Sequence, residues 1–382
     1  MIYAVPYLLL ILLLGTLAVL VDQRRQDEAL SGKLTWWGIA IFFVFFAFRG
    51  FINTDWLTYY TEFDKCSWDL LFRYELGKSR EPGFLIFELL CKTLFDNFHF
   101  FVFMSTVVNT VLLVNFFRRY TDNVLLALTI CLVFEGFMIN VNLMRNSISI
   151  YIFLNALQYL QQRRALPYFL MCLLAMSFHF SAIVYFPLYF FLHRSLNKWV
   201  YLGIFMGCVI IFILHVPIFM SLIKLTGIGG EFIEEKIDVY TEMSSARGFG
   251  MGFLERLITG LLVFCYYGKL KDLRPENNIF INSLVAFFIA IFLFSEFAEI
   301  SKRIYILFIY AYWILWGDLI KCFYYERNRY LFCTFVGLYC LVKTATTLNQ
   351  PIHDYDNLLL GGIKSYQERK YIFEKTFEEP EY

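Results

Sequence analysis

The sequence predicts an all-α, polytopic transmembrane helix bundle of about 11–12 crossings, each requiring roughly 20 mainly apolar residues. Three observations point that way. Of 382 residues, 59% are hydrophobic, 20% aromatic and only 17% charged, which lies outside the range of chains that fold in water. Apolar runs of spanning length recur along the chain, and Lys and Arg collect in alternate loops between them.

Taken in order, the runs lie at about 2 to 21, 35 to 51, 99 to 117, 123 to 139, 142 to 160, 199 to 219, 252 to 268, 278 to 297, 303 to 320 and 330 to 348. About 30 Å of hydrocarbon crossed at 1.5 Å per residue sets that length. The first run has no basic residue before it and no small-residue cleavage site after it, so it reads as a retained helix rather than a signal peptide. Pro82 to Phe95 is too short to span and carries Glu88 and Lys92. It reads as an interfacial or re-entrant helix. Tyr168 to Leu192 places His179 between two apolar halves, so it is either one helix with a buried histidine or two short helices that turn there.

Loop charge arbitrates. With a turn at His179, the clusters Arg24, Arg25 and Lys33; Arg118 and Arg119; Arg163 and Arg164; Arg194 and Lys198; Lys269, Lys271 and Arg274; and Lys321, Arg327 and Arg329 share one side. Short cytoplasmic loops collect such residues, so that side is the cytoplasm. A single span at 168 to 192 inverts every later loop and exports three basic clusters, and the turn is therefore preferred. Both termini are then extracytoplasmic, and two long loops, about 50–83 and 220–251, face outward. Residues 1–348 form one polytopic membrane domain, and 349–382 a polar C-terminal tail expected to be only partly ordered.

Net charge is +1, which gives no nucleic-acid footprint. Eight of the nine cysteines lie in or beside apolar runs, and only Cys66 sits in a polar loop, so no disulfide framework is expected. The remaining histidines, His99, His193, His215 and His353, show no metal-ligand spacing, and no P-loop or dinucleotide fingerprint is present. Neither a metal nor another cofactor is called for.

Ionisable groups at membrane depth are costly and mark pathways or sites. Arg49, Asp55, Glu81, Arg145, His179 and Arg303 all fall toward the extracytoplasmic face on this topology, as do Glu255, Arg256, Glu296, Glu299 and Lys302. Guanidinium groups grip phosphate oxygens and stay charged, and a carboxylate or neutral imidazole takes a proton from an attacking hydroxyl. The set therefore suits an anionic, lipid-linked substrate and describes glycosyl transfer from a lipid diphosphate. Each residue also has a structural alternative: Arg49 and Arg303 as interfacial anchors, Arg145 in an ion pair, His179 in helix packing, Asp55 and Glu81 as loop acids or caps. Trp56, Tyr59 and Tyr60 are the aromatics best placed to stack on sugar.

Five motifs in order resemble the EpsG-type branch of the Wzy polysaccharide polymerases. They are FRGFINTDWLTYY (Phe48 to Tyr60), EPGF (Glu81 to Phe84), NLMRNSIS (Asn142 to Ser149), FHFSA (Phe178 to Ala182) and KRIY (Lys302 to Tyr305), spread over roughly residues 1 to 360. The chain departs from the family where Asn146 follows Arg145 in place of Gln, and where FINTD replaces a more glycine-rich stretch. The resemblance implies a glycosyltransferase of the bacterial inner membrane that joins polyprenyl-diphosphate-linked oligosaccharide units into exopolysaccharide, O-antigen or capsule. On this reading Arg49, Arg145, Asn146, Arg303, Tyr59 and Tyr60 are the expected substrate-binding residues, and His179, Asp55 or Glu81 orients or deprotonates the acceptor hydroxyl, with the choice of base left open among the three. Its expected partners are the lipid-linked unit, membrane lipid, a flippase and a chain-length regulator. Competing readings are a lipid-linked oligosaccharide flippase and a ligase or O-acyltransferase-like membrane transferase.

Overall fold

A computed structural model describes residues 2–73, 80–216, 218 and 250–378. Among the described residues it is 79% helical with no strands. Among the described residues, five helices are long and apolar enough to cross a membrane: Ile2–Gln23, Glu28–Ala47, Phe98–Tyr120, Val124–Val141 and Glu326–Thr347. A bent pair, Ala298–Tyr305 and Tyr310–Cys322, meets at 60° as a broken span or a re-entrant loop, while Ala165–Phe178, Phe180–Phe191, Lys198–Ile213 and Asn277–Leu293 are shorter apolar helices. Met144–Gln161 is equally long but rich in Asn, Ser and Gln. The predicted loop at 220–251 lies outside the described residues apart from its last two positions.

The described residues divide into two compact units, Met1–Tyr189 with Arg327–Tyr382, and Phe190–Glu326. In the first unit, the chain turns at His179. The Ala165–Phe178 helix ends there, His179 is extended (φ −157°, ψ 126°), and Phe180–Val184 winds as a 3-10 turn into Tyr185–Phe191. The two arms run antiparallel, because Tyr168 donates to the Tyr185 carbonyl at 2.6 Å while Arg163 and Tyr189 exchange hydrogen bonds at 2.8 Å. Fourteen residues rise only about 21 Å, short of the roughly 30 Å of hydrocarbon. That is the geometry on which the basic-loop assignment depended. Pro82–Leu94 is likewise a short helix of 13 residues, with Glu88 fully buried on one face and Ile86 and Leu90 exposed on the other.

Span Val124–Val141 is interrupted. Residues Leu132–Gly136 form a π turn in which Glu135 takes φ 66°, a conformation rarely held by a residue with a side chain.

Residues 349–378 pack within the first unit, more ordered than the partly ordered tail expected from composition. Tyr7 donates to the His353 carbonyl at 2.8 Å, Asn53 N–H to Ile352 at 2.8 Å, and Tyr355 stacks on Phe45 at 4.2 Å. Arg369, buried to 2% exposure, pairs with Asp354 at 3.2 Å and Asp356 at 3.8 Å. Tyr366 then stacks on Tyr60 at 4.4 Å. Polar composition reads as disorder when charges are counted singly; here opposite charges pair off and pin the segment to residues 48–60. Gly50 belongs to this contact, since a Cβ there would run into the Asp356 carboxylate.

In the second unit, asparagines hold a loop. Asn278 and Asn282 donate to the carbonyls of Leu192, His193 and Arg194 at 2.7–2.9 Å. Buried Asp318 takes the Asn277 amide at 2.9 Å, and Trp316 donates to Thr259, which donates to buried Glu255 at 2.7 Å.

Candidate functional site

The start of the Met144–Gln161 helix gathers three of the motifs, each through a different residue. Asn142 Oδ1 accepts the backbone N–H groups of Asp55 at 2.9 Å and Thr54 at 3.3 Å. Arg145 Nη1 donates to Glu81 Oε2 at 3.0 Å. Asn146 Oδ1 accepts from the Ser181 hydroxyl at 3.2 Å, and that hydroxyl lies 2.7 Å from His179 Nδ1. Arg145 and Asn146 lie in the first turn of that helix, and Asn142 ends the preceding Phe137–Val141 helix two residues before it begins.

Glu81 is held at both oxygens. Oε1 accepts the Phe180 N–H at 3.1 Å while Oε2 faces Arg145. Burial opposes its charge, yet the backbone amides and the nearby Arg145 and His179 outweigh burial and hold the carboxyl below its ordinary value. Gly83 makes this approach possible, because a Cβ there would sit 2.8 Å from the Ser177 carbonyl oxygen. The Pro82–Leu94 helix therefore begins against the end of the Ala165–Phe178 helix only where there is no side chain. Tyr59 is buried beside the Arg145 guanidinium, and burial raises its hydroxyl pKa despite the cation.

Accessibility sorts the expected residues. Asp55, Glu81, Arg145 and His179 are half-buried, open enough for a ligand and enclosed enough to be fixed. Arg49 is only 4% exposed and gives its guanidinium to the carbonyls of Phe46 at 2.8 Å and Asn140 at 3.2 Å. Tyr60 is engaged with Tyr366. Arg303 stands in the second unit, exposed on the short Ala298–Tyr305 helix with Glu299 and Lys302. The reading of ionisable groups missed Asn142, Ser181 and Gly83, which carry no charge. Their signal was position, since each falls inside a motif next to a charged residue.

The apolar helices are those of a multi-pass membrane protein, and its first unit holds a half-buried group of one guanidinium, two carboxylates and an imidazole. The EpsG family model matches residues 34–360, and the chain belongs to that family, a group of polysaccharide-synthesis membrane proteins. No curated protein matches the chain. No solved structure matches it either.

Proposed function

We propose that the protein is a polysaccharide polymerase that joins oligosaccharide units carried on polyprenyl diphosphate at the extracytoplasmic face of the bacterial inner membrane. The observation that supports this best is the gathering of the Asp55, Glu81, Arg145 and His179 segments around the junction of the Phe137–Val141 and Met144–Gln161 helices. In the reaction, the acceptor hydroxyl oxygen attacks the anomeric carbon of the donor glycan. The bond from that carbon to the phosphate oxygen breaks, and its electron pair leaves with polyprenyl diphosphate.

Two tasks follow, and the residues divide between them. The leaving diphosphate gains charge, which Arg145 is suited to stabilise along with the positive end of the Met144–Gln161 helix. The acceptor proton needs a base, and Asp55 and His179 stand at the rim of the same cluster. Glu81 fixes the guanidinium rather than reacting, because both its oxygens are occupied. Tyr59 walls the guanidinium on its buried side.

Purified protein in lipid nanodiscs, given a defined lipid-diphosphate repeat unit, is expected to yield a ladder of longer lipid-linked glycans. Movement of the unit between leaflets without a ladder would instead identify a flippase, and transfer onto a lipid core alone would identify a ligase.

A further inference from the structure

We infer that the loop Leu358–Leu360 is seated in the bilayer, a lipid-anchoring tip that holds the C-terminal segment at the membrane surface opposite Trp36 and Arg118. This holds whether or not the protein is a polymerase.

The loop is built to present apolar groups. Leu358, Leu359 and Leu360 are 44%, 58% and 78% exposed, in a turn beyond the Glu326–Thr347 span. Asn357 closes that turn from within. Its side chain accepts the Leu359 N–H at 2.9 Å, its carbonyl accepts the Leu360 N–H at 3.1 Å, and its backbone bridges to Gly362. Gly361 and Gly362 bring the chain back at φ 136° and 90°, which glycine holds without strain. Three adjacent leucines held outward by a closed turn are unfavourable in water and mark a contact surface.

The turn is fastened to the end of a span. The Leu358 N–H donates to the Phe48 carbonyl at 2.9 Å, directly after the Glu28–Ala47 helix. Tyr355 and Asn357 donate to the Phe45 and Val44 carbonyls at 2.9 and 3.2 Å, and Arg49 donates to that of Phe46 at 2.8 Å. The last carbonyls of a helix have no partner within it. Here the chain supplies donors that water would supply at an end outside the membrane, which is what hydrocarbon demands. Depth agrees with capping. Trp36 is 58% exposed with the Arg118 guanidinium 4.5 Å from its ring, the chemistry of an interfacial belt near the other end of this helix. From Trp36 to Phe48 the helix rises about 18 Å, against roughly 30 Å of hydrocarbon. It therefore stops short of the far surface, and the loop bonded to Phe48 begins at lipid depth.

The occupant follows from what adjoins the loop. Phe48 packs on Phe103 at 5.6 Å, Phe103 on Phe100 at 6.5 Å and Phe100 on Phe95 at 5.7 Å, so an aromatic row continues the apolar surface onto the neighbouring span. Charge does not oppose burial at this level, because Asp354 and Asp356 pair with Lys364 and Arg369 and the four sum to zero. Lipid fits this surface. The same segment accepts the Asn53 N–H and stacks Tyr366 on Tyr60, so the anchor ties the stretch that carries Asp55 and Tyr59 to the bilayer.

The test is a depth measurement on the full chain in lipid nanodiscs. A nitroxide is placed singly at Leu358→Cys, Leu359→Cys or Leu360→Cys, in a background lacking the exposed Cys265 and Cys333. Gln367→Cys, exposed on the Tyr366–Glu378 helix, is the reference. Oxygen concentrates in hydrocarbon and a nickel chelate in water, so the ratio of their collision rates with the nitroxide reports depth. That ratio is expected to be severalfold higher in the loop than at Gln367. Equal ratios would put the loop in water and overturn the anchor. Low collision with both reagents would show that protein covers the loop, whether another part of this chain or a second copy, and would overturn it equally. A second measurement needs no label: Leu359→Asp with Leu360→Asp keeps the backbone bonds of the turn and is expected to speed proteolysis of the C-terminal segment severalfold. Cleavage at the wild-type rate would count against a loop held by lipid.

Discussion

Breaking the Arg145–Glu81 pair separates a structural ion pair from a substrate-binding guanidinium. Arg145 is 32% exposed and Glu81 19%, between an exposed pair, worth about 0.2–1 kcal/mol, and a buried pair, whose breakage costs about 3–5 kcal/mol. Glu81 also keeps the Phe180 amide when Arg145 is removed. Arg145→Ala should therefore cost about 1–2 kcal/mol of stability. Its effect on turnover should be larger, about 10²–10³-fold or about 2.7–4 kcal/mol, if the guanidinium faces charge developing on the diphosphate. Glu81→Gln leaves the arginine in place but loosened, with a loss nearer tenfold, or about 1.4 kcal/mol. The decisive variant is the double, Arg145→Ala with Glu81→Gln, assayed for ladder rate and for denaturant midpoint in the same nanodiscs. A guanidinium that acts on substrate leaves the double as slow as Arg145→Ala alone. If the double instead regains activity close to wild type, the pair serves only to balance charge, and the placement of Arg145 on the diphosphate is refuted.

The other expectations concern the frame around the site. Burial pushes the Glu88 carboxyl up to about 7, against the pull of Arg80. A raised acid binds its proton more tightly when folded, so its stabilisation is complete below the unfolded value of 4.5 and is lost as pH rises through about 7. Stability of the wild type should fall across that window, and the slope should vanish in Glu88→Gln; equal slopes would discount the buried carboxyl. Gly83→Ala forces a methyl toward the Ser177 carbonyl at 2.8 Å and should cost about 1–3 kcal/mol, with activity falling more steeply than stability as Glu81 is pushed from Phe180. Arg369→Gln leaves Asp354 and Asp356 with Lys364 as their cation and should cost about 1–3 kcal/mol, read as early proteolysis of the C-terminal segment. Finally, Phe180→Cys, at a position 63% exposed and in a background lacking the exposed Cys265 and Cys333, should react with an impermeant maleimide from outside the cell. Labelling confined to inside-out vesicles would reverse the topology.

The spans were legible because membrane partition is a local property. Any 20-residue window of hydropathy fixes whether a helix is at home in hydrocarbon, whatever lies elsewhere in the chain. Hydropathy alone left Tyr168 to Leu192 undecided, and loop charge chose the turn. The physical cause appears only in three dimensions, in the Tyr168–Tyr185 and Arg163–Tyr189 bonds that fold the two arms together. The same distinction explains the C-terminal segment. Asp354, Asp356, Lys364 and Arg369 look like solvated charges in a string of letters, and they order the chain only once they neutralise one another.

The sequence by itself determined that this is a bundle of apolar helices, that its charged motifs are few, and which residue types are available for phosphate and proton chemistry. Only the tertiary structure decided which of them meet. Arg145 finds Glu81 across 64 residues, Asn142 finds Asp55 across 87, and Asn146 finds Ser181 across 35. Pairings over such separations depend on the packing of whole helices and on the absence of a side chain at Gly83, and no local pattern encodes them. The structure also gave Arg49 to backbone carbonyls, because a guanidinium takes its role from the groups that surround it.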